Sequence, residues 1–193
     1  MKITLLGNCQ TKALSWHIQK LDPNFDVQWI CIERFLKSQW GPEPKFIGKP
    51  INVITDTQDA IERLQRSDYV IFQHIKKETS CNYNYNQIKE HVNDAKLISI
   101  SNFYYDPDIQ DDRKSGLIGM IDRAETFNID IPAHKIIEKH GPKIKICREA
   151  KHPTHPHVFY FLELIREICI KTGWDYYPEE QYNQYLKEGY PFG

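Results

Sequence analysis

The four residues Gly7-Asn8-Cys9-Gln10 follow a short apolar run, Ile3–Leu6, and lead into a helix-like pattern. A thiol placed there has chemistry open to it. The start of a helix carries unpaired N–H groups and about half a positive charge, which favours a thiolate. The same N–H groups can hold an oxyanion or a phosphate. Gly7 lets the chain turn tightly and leaves room for a ligand near the backbone. A plainer reading also fits, with Cys9 as a small buried hydrophobe and Asn8 as a helix cap. The stretch alone leaves both open.

A second candidate group is Lys151-His152-Pro153-Thr154-His155-Pro156-His157, just before the last long apolar helix. A histidine beside a thiol or a bound hydroxyl is the usual general base near neutral pH. Proline restricts the backbone beside His152 and His155. Metal binding is not expected, because these histidines form no helical i,i+4 pair and no acidic residue lies between them. The alternative is a polar loop in which Thr154 or His155 caps the helix. Two more polar pairs, Gln73-His74 and Ser101-Asn102, each follow an apolar run. They could serve as substrate or oxyanion contacts, or simply close a strand and cap a turn. Glu149 lies three residues before His152 and could orient it, or be an ordinary surface charge. Among the basic residues, Lys12 and Arg148 flank the two main motifs and are the candidates for holding phosphates.

These residues need a scaffold. Lys2–Leu6, Asp26–Ile32, Tyr69–Phe72 and Lys96–Ile100 read as strands, and Lys143–Cys147 as one more at a sheet edge. Helical spacing runs over Gln10–Leu21, Asp56–Ser67, Tyr85–Asn93, Leu117–Phe127, Pro132–Lys139 and His155–Thr172, with shorter helices at Glu33–Trp40 and Glu179–Lys187. Strands alternating with helices predict an α/β fold, a three-layer α/β/α sandwich with a mainly parallel sheet. In such a sheet ligands bind beyond the carboxyl ends of the strands. Three polar clusters fall at such ends, so the sequence predicts one shared crevice. No repeat or linker divides the chain, and residues 1–193 read as one domain with the tyrosine-rich segment 174–193 packed on it.

The bulk composition narrows the function. The chain has 193 residues, with 25 Lys and Arg against 26 Asp and Glu, so no general grip on nucleic acid is indicated. Five scattered cysteines with no CxxC pair point to reduced thiols rather than a zinc site or a disulfide framework. Neither a secretory signal nor a membrane span is visible, and a soluble cytoplasmic protein is expected.

In their order, three motifs resemble the WcbI-type polysaccharide biosynthesis family: Gly7-Asn8-Cys9-Gln10, Tyr69-Val70-Ile71-Phe72-Gln73-His74, and His152-Pro153-Thr154. That resemblance implies a fold akin to SGNH hydrolases and flavodoxin-like sheets, binding of coenzyme A, and acetylation in capsule assembly. It places Cys9 where the nucleophilic serine of SGNH enzymes stands and His152 where their late histidine stands. Glu149 replaces the aspartate of that pattern. There is no clear Gly-x-Asn-Asp block, which leaves Gln73 or Asn102 to donate to an oxyanion. The expectation is an acetyl-CoA-dependent O-acetyltransferase acting on a sugar or glycan acceptor. Cys9 and His152 would be catalytic, Asn8, Gln10, Gln73, His74, Asn102 and His155 would contact substrate, and Gly7, Lys12 and Arg148 would hold the coenzyme. Two mechanisms fit, a Cys9 thioester or direct attack with the Cys9 and Gln10 N–H groups stabilising the oxyanion. An SGNH-like esterase and a non-catalytic glycan- or nucleotide-binding domain are the alternatives.

Overall fold

Lys2–Gly7 forms β1, an apolar run whose residues Ile3–Gly7 are all buried, as expected for a strand covered on both faces. The computed structural model describes residues 1–32, 52–54, 57–74, 88–93, 95–112, 115–146 and 156–175. They fall in two compact units, Met1–Ile100 and Ser101–Gly193. In the first, Asn8 caps α1 (Cys9–Gln19), and an Asx turn at Asp22, whose Oδ1 accepts the Asn24 N–H at 2.8 Å, leads into β2 (Asp26–Cys31). Then come β3 (Asn52–Ile54), α2 (Thr57–Gln65), β4 (Tyr69–His74) and β5 (Lys96–Ser101).

The strands form one five-stranded sheet in the order β3-β2-β1-β4-β5. Pairings β1–β2, β1–β4 and β2–β3 are parallel, with Leu6 opposite Ile30 on one side and Phe72 on the other. The predicted α/β fold with a parallel sheet is therefore present. Leu6, Ile30, Val70 and Phe72 pack on one face against Ala60 and Leu64 of α2 and Ile88. Because side chains alternate along a strand, Leu5, Trp29 and Ile71 point to the other face, where α1 lies and Thr11 meets Trp29. From β1 the chain first builds outward through β2 and β3, then returns to build β4 and β5 on the opposite side. The order reverses between β1 and β4, and there an open α/β sheet forms its crevice.

The second unit holds α3 (Leu117–Phe127), α4 (Ala133–His140), a 3-10 turn (Gly141–Lys143) and α5 (Val158–Thr172). Phe103 and Tyr160 pack with ring centroids 4.6 Å apart and planes tilted by 56°, and Ile165 and Ile168 are buried as well. His140 and Glu163, 2.8 Å apart, join α4 to α5.

Two expectations change. Of the expected strand Lys143–Cys147, the described part Lys143–Ile146 is not one: Gly141–Lys143 is a 3-10 turn with proline near its start, Ile146 makes a single antiparallel bridge to Pro156, and Cys147 lies outside the described residues. Proline fixes φ and removes an N–H, which suits a tight turn. The last helix begins at Val158, not His155, with His157 at its N-cap and no side-chain cap bond from that residue. The expected helices Glu33–Trp40 and Glu179–Lys187 lie outside the described residues.

Candidate active site at the carboxyl ends of β1 and β4

Three amide side chains knit the end of β1 to the end of β4. The Asn8 backbone N–H donates to Gln73 Oε1 at 3.0 Å, and Gln73 Nε2 donates to Gln10 Oε1 at 3.0 Å. Because a backbone N–H can only donate, Gln73 must turn its oxygen to Asn8, which leaves its NH2 for Gln10. Asn8 Oδ1 in turn accepts the Gln10 N–H at 2.9 Å, satisfying one of the orphan donors at the head of α1. Gln73 is 1 % exposed and Gln10 7 %, so these bonds form away from solvent. Each neutral bond contributes about 1 kcal/mol net, and an unmade one costs about 1–3 kcal/mol.

Thr11 is the member the sequence did not announce. Its hydroxyl donates to the Asn8 carbonyl at 2.7 Å and accepts from Trp29 Nε1 at 3.2 Å, tying the head of α1 to β2. The signal for it was available: a hydroxyl three residues after an N-cap can bond back to the cap carbonyl. Gly7 is explained by the same crowding. A Cβ there would come 2.4 Å from Thr11 Oγ1 and 2.6 Å from Gln73 Oε1. The room glycine leaves is filled by the protein's own side chains rather than by a ligand.

Cys9 is the first residue of α1, half-buried and in no disulfide. The first turn of α1 itself holds no acidic residue to offset the positive end of the helix dipole. Lys12 is buried to 8 % exposure, and its ammonium lies 5.5 Å from the centroid of the Trp29 ring. That position packs it against the Trp29 ring of β2. Gln73 and His74, read together from sequence, part company in space. Gln73 faces α1, whereas His74 follows Phe72 onto the opposite face, with ring centroids 4.7 Å apart and an interplanar angle of 86°.

Asn102 is half-buried and belongs to the second unit. Arg148, His152 and His155, with Glu149 and Thr154, lie outside the described residues. The structure thus brings together Gly7, Asn8, Cys9, Gln10 and Gln73 at the point where the strand order reverses. Among the described residues no group of three or more His, Cys, Asp or Glu is placed to hold a metal ion. Among them, too, no helix is long and apolar enough to cross a membrane. No family model matches the chain, and no curated protein or solved structure matches it.

Proposed function

We propose that the protein is an acyltransferase in which the Cys9 thiol takes an acetyl group from a coenzyme A thioester and passes it to a hydroxyl of a sugar or glycan precursor, in the cytoplasm. The observation that carries this reading is the position of Cys9: a half-buried thiol heading an 11-residue helix at the β1–β4 switch point, with the surrounding backbone pinned by Gln73. The resemblance to the WcbI-type family supplies the donor and acceptor classes. The strand order β3-β2-β1-β4-β5 is that of a doubly wound α/β sheet, and it supports the reading only by putting a switch point between β1 and β4.

In the first step the Cys9 sulfur attacks the thioester carbonyl, the coenzyme leaves as its thiol, and Cys9 carries the acetyl group. In the second a base, His152 by sequence, takes the acceptor hydroxyl's proton as its oxygen attacks the new thioester, and the Cys9 thiolate leaves. The Gln10 N–H already donates to Asn8 Oδ1, so in either route, covalent or direct, it is not the first donor to a tetrahedral oxyanion. The space beside Gly7 is filled by Thr11 and Gln73, which leaves Lys12 and Arg148 as the basic residues for the coenzyme phosphates.

The test is to mix the full chain with acetyl-CoA, quench in acid and digest. An acetyl adduct on the tryptic peptide Ile3–Lys12, absent from Cys9→Ala, is the expected result. Near-full turnover by both Cys9→Ala and Cys9→Ser would remove the covalent route. Hydrolysis of simple acetyl esters without transfer from acetyl-CoA would make the protein an esterase. No binding of coenzyme A by calorimetry, with no ester hydrolysis, would leave a non-catalytic binding domain.

A further inference from the structure

We propose that Cys9 and Cys31 are a reversible thiol–disulfide pair, so that the candidate site is switched off by hydroperoxide and restored by reduction. The pairing stands on the fold alone, whereas its effect on activity rests on the acyl-transfer reading.

The register places Cys31 directly opposite Gly7 on neighbouring parallel strands, about 4.8 Å apart. Its face follows from Trp29. The Trp29 indole bonds Thr11 of α1 and underlies Lys12, so Cys31, two residues on, points to the same face. It lies ~6.6 Å further toward the carboxyl edge of the sheet. The helix α1 runs back over that face, and Cys9 precedes Thr11 and Lys12 by two and three residues. It therefore stands ~3–4.5 Å closer to the same edge than they do. Both residues thus lie at the carboxyl edge of the sheet, Cys31 on the face that α1 covers and Cys9 at the head of α1, and both are half-buried and in no disulfide. A disulfide spans Cα atoms about 4.4–6.8 Å apart, on the scale of one step between strands.

Cys169 is the contrast. It is buried in α5, where loss of hydration pushes its thiol up to about 12, the condition of an inert packing cysteine.

The chemistry balances with a hydroperoxide as oxidant. The Cys9 thiolate attacks one peroxide oxygen, the O–O bond breaks, and Cys9 becomes a sulfenic acid while hydroxide leaves (the alcohol's anion, for an organic peroxide). The Cys31 sulfur then attacks the Cys9 sulfur, the S–S bond forms, and the S–O bond breaks with release of water, the Cys31 proton going to the leaving oxygen. Two electrons pass from the two thiols to the peroxide. A dithiol reductant reverses the step by exchange. With its sulfur in the disulfide, Cys9 cannot attack a thioester. The pair also halts Cys9 at a reversible stage before sulfinic acid.

The experiment treats the full reduced chain with hydrogen peroxide, blocks remaining thiols and digests with trypsin. The expected product is peptide Ile3–Lys12 linked to Leu21–Arg34, lighter by two hydrogen atoms and separated by dithiothreitol. Transfer from acetyl-CoA should be lost and regained in step with that peptide. In Cys31→Ser, and in Cys31→Ala as a second variant with an apolar side chain, basal transfer should persist and dimedone should capture the Cys9 sulfenic acid. Inactivation of these variants should then become irreversible. Absence of the linked peptide from the oxidised wild-type chain overturns the proposal. So does linkage of Cys9 to Cys81 or Cys147, or equal dimedone labelling of Cys9 in wild type and Cys31→Ser. A linked peptide in a protein that never transfers acetyl removes the acyl-transfer reading and leaves the thiol pair standing. Transfer untouched by peroxide, with no linked peptide, does the reverse.

Discussion

The two ends of the sheet in the first unit are fastened by opposite chemistries. At the carboxyl end, neutral amides do it: Gln73 bridges Asn8 and Gln10, leaving a half-buried thiol beside them. At the amino end the fastening is ionic. Arg63, 9 % exposed, reaches from α2 to the Asp26 carboxylate and carbonyl, to Thr4 Oγ1 at 3.0 Å and to the Ile3 carbonyl at 3.4 Å. Every guanidinium nitrogen has a partner there. A cleft of about 390 Å3 beside it is lined by Lys2, Arg66, Asp59 and Glu62, whose charges cancel. The difference separates stability from chemistry. Charge is spent inside the fold at one end, and among the described residues the bonds that tie β1 to β4 at the other run between neutral amides.

The sharpest way to break this contrast is Arg63→Ala. It strips partners from Thr4, Asp26 and the Ile3 carbonyl, and should cost about 3 kcal/mol in urea unfolding. Alkylation of Cys9 in the folded protein should stay at the wild-type rate. A changed rate would mean that the two ends are coupled. Gln73→Leu should do the opposite. It leaves the Asn8 N–H without its acceptor, costs about 1–2 kcal/mol, and changes the Cys9 alkylation rate because the head of α1 loses its anchor. An unchanged rate would reduce Gln73 to packing.

The smallest effect is in pH. His17 in α1 is fully buried, and loss of hydration lowers its pKa from the ordinary histidine value to about 3. Between that value and about 6.5 the unfolded chain binds the proton and the folded one does not, so stability rises with pH across this window and falls on acidification. The contribution is complete only about one pH unit above the ordinary histidine value, at pH ~7.5. From pH 7.5 to 6 it should take away about 0.8 kcal/mol, steepening to ~1.4 kcal/mol per unit further down. His134 is lowered in the same direction, mainly by burial. Unfolding curves of His17→Gln should lose the larger part of that slope. An unaltered slope would assign it elsewhere.

Much of the scaffold was legible. Four strands and the helices Leu117–Phe127 and Ala133–His140 follow from apolar runs and periodicity, since burial on one or both faces writes itself into residue type. The three-residue β3 was missed because an edge strand so short has no period to read. Gly7, Asn8 and Gln10 were read as a group, and Asn8 as a cap, because capping chemistry is local. What was not legible was who occupies whom. Gln73 was a candidate donor to an oxyanion, yet its amide is already shared between Asn8 and Gln10, a fact set by residues 63 and 65 positions away. The split of Gln73 from His74 was available in principle, because adjacent strand residues cannot share a face.

One further consequence concerns α1. Every residue from Gln10 to Ile18 is buried, including Lys12, Ser15 and His17. An ordinary surface helix alternates a guarded side with a free one, and mutation can wander along the free side. Here that freedom is gone for more than two turns. Tolerance to substitution along α1 loses its helical rhythm, and the segment that carries Cys9 is left with almost no neutral drift.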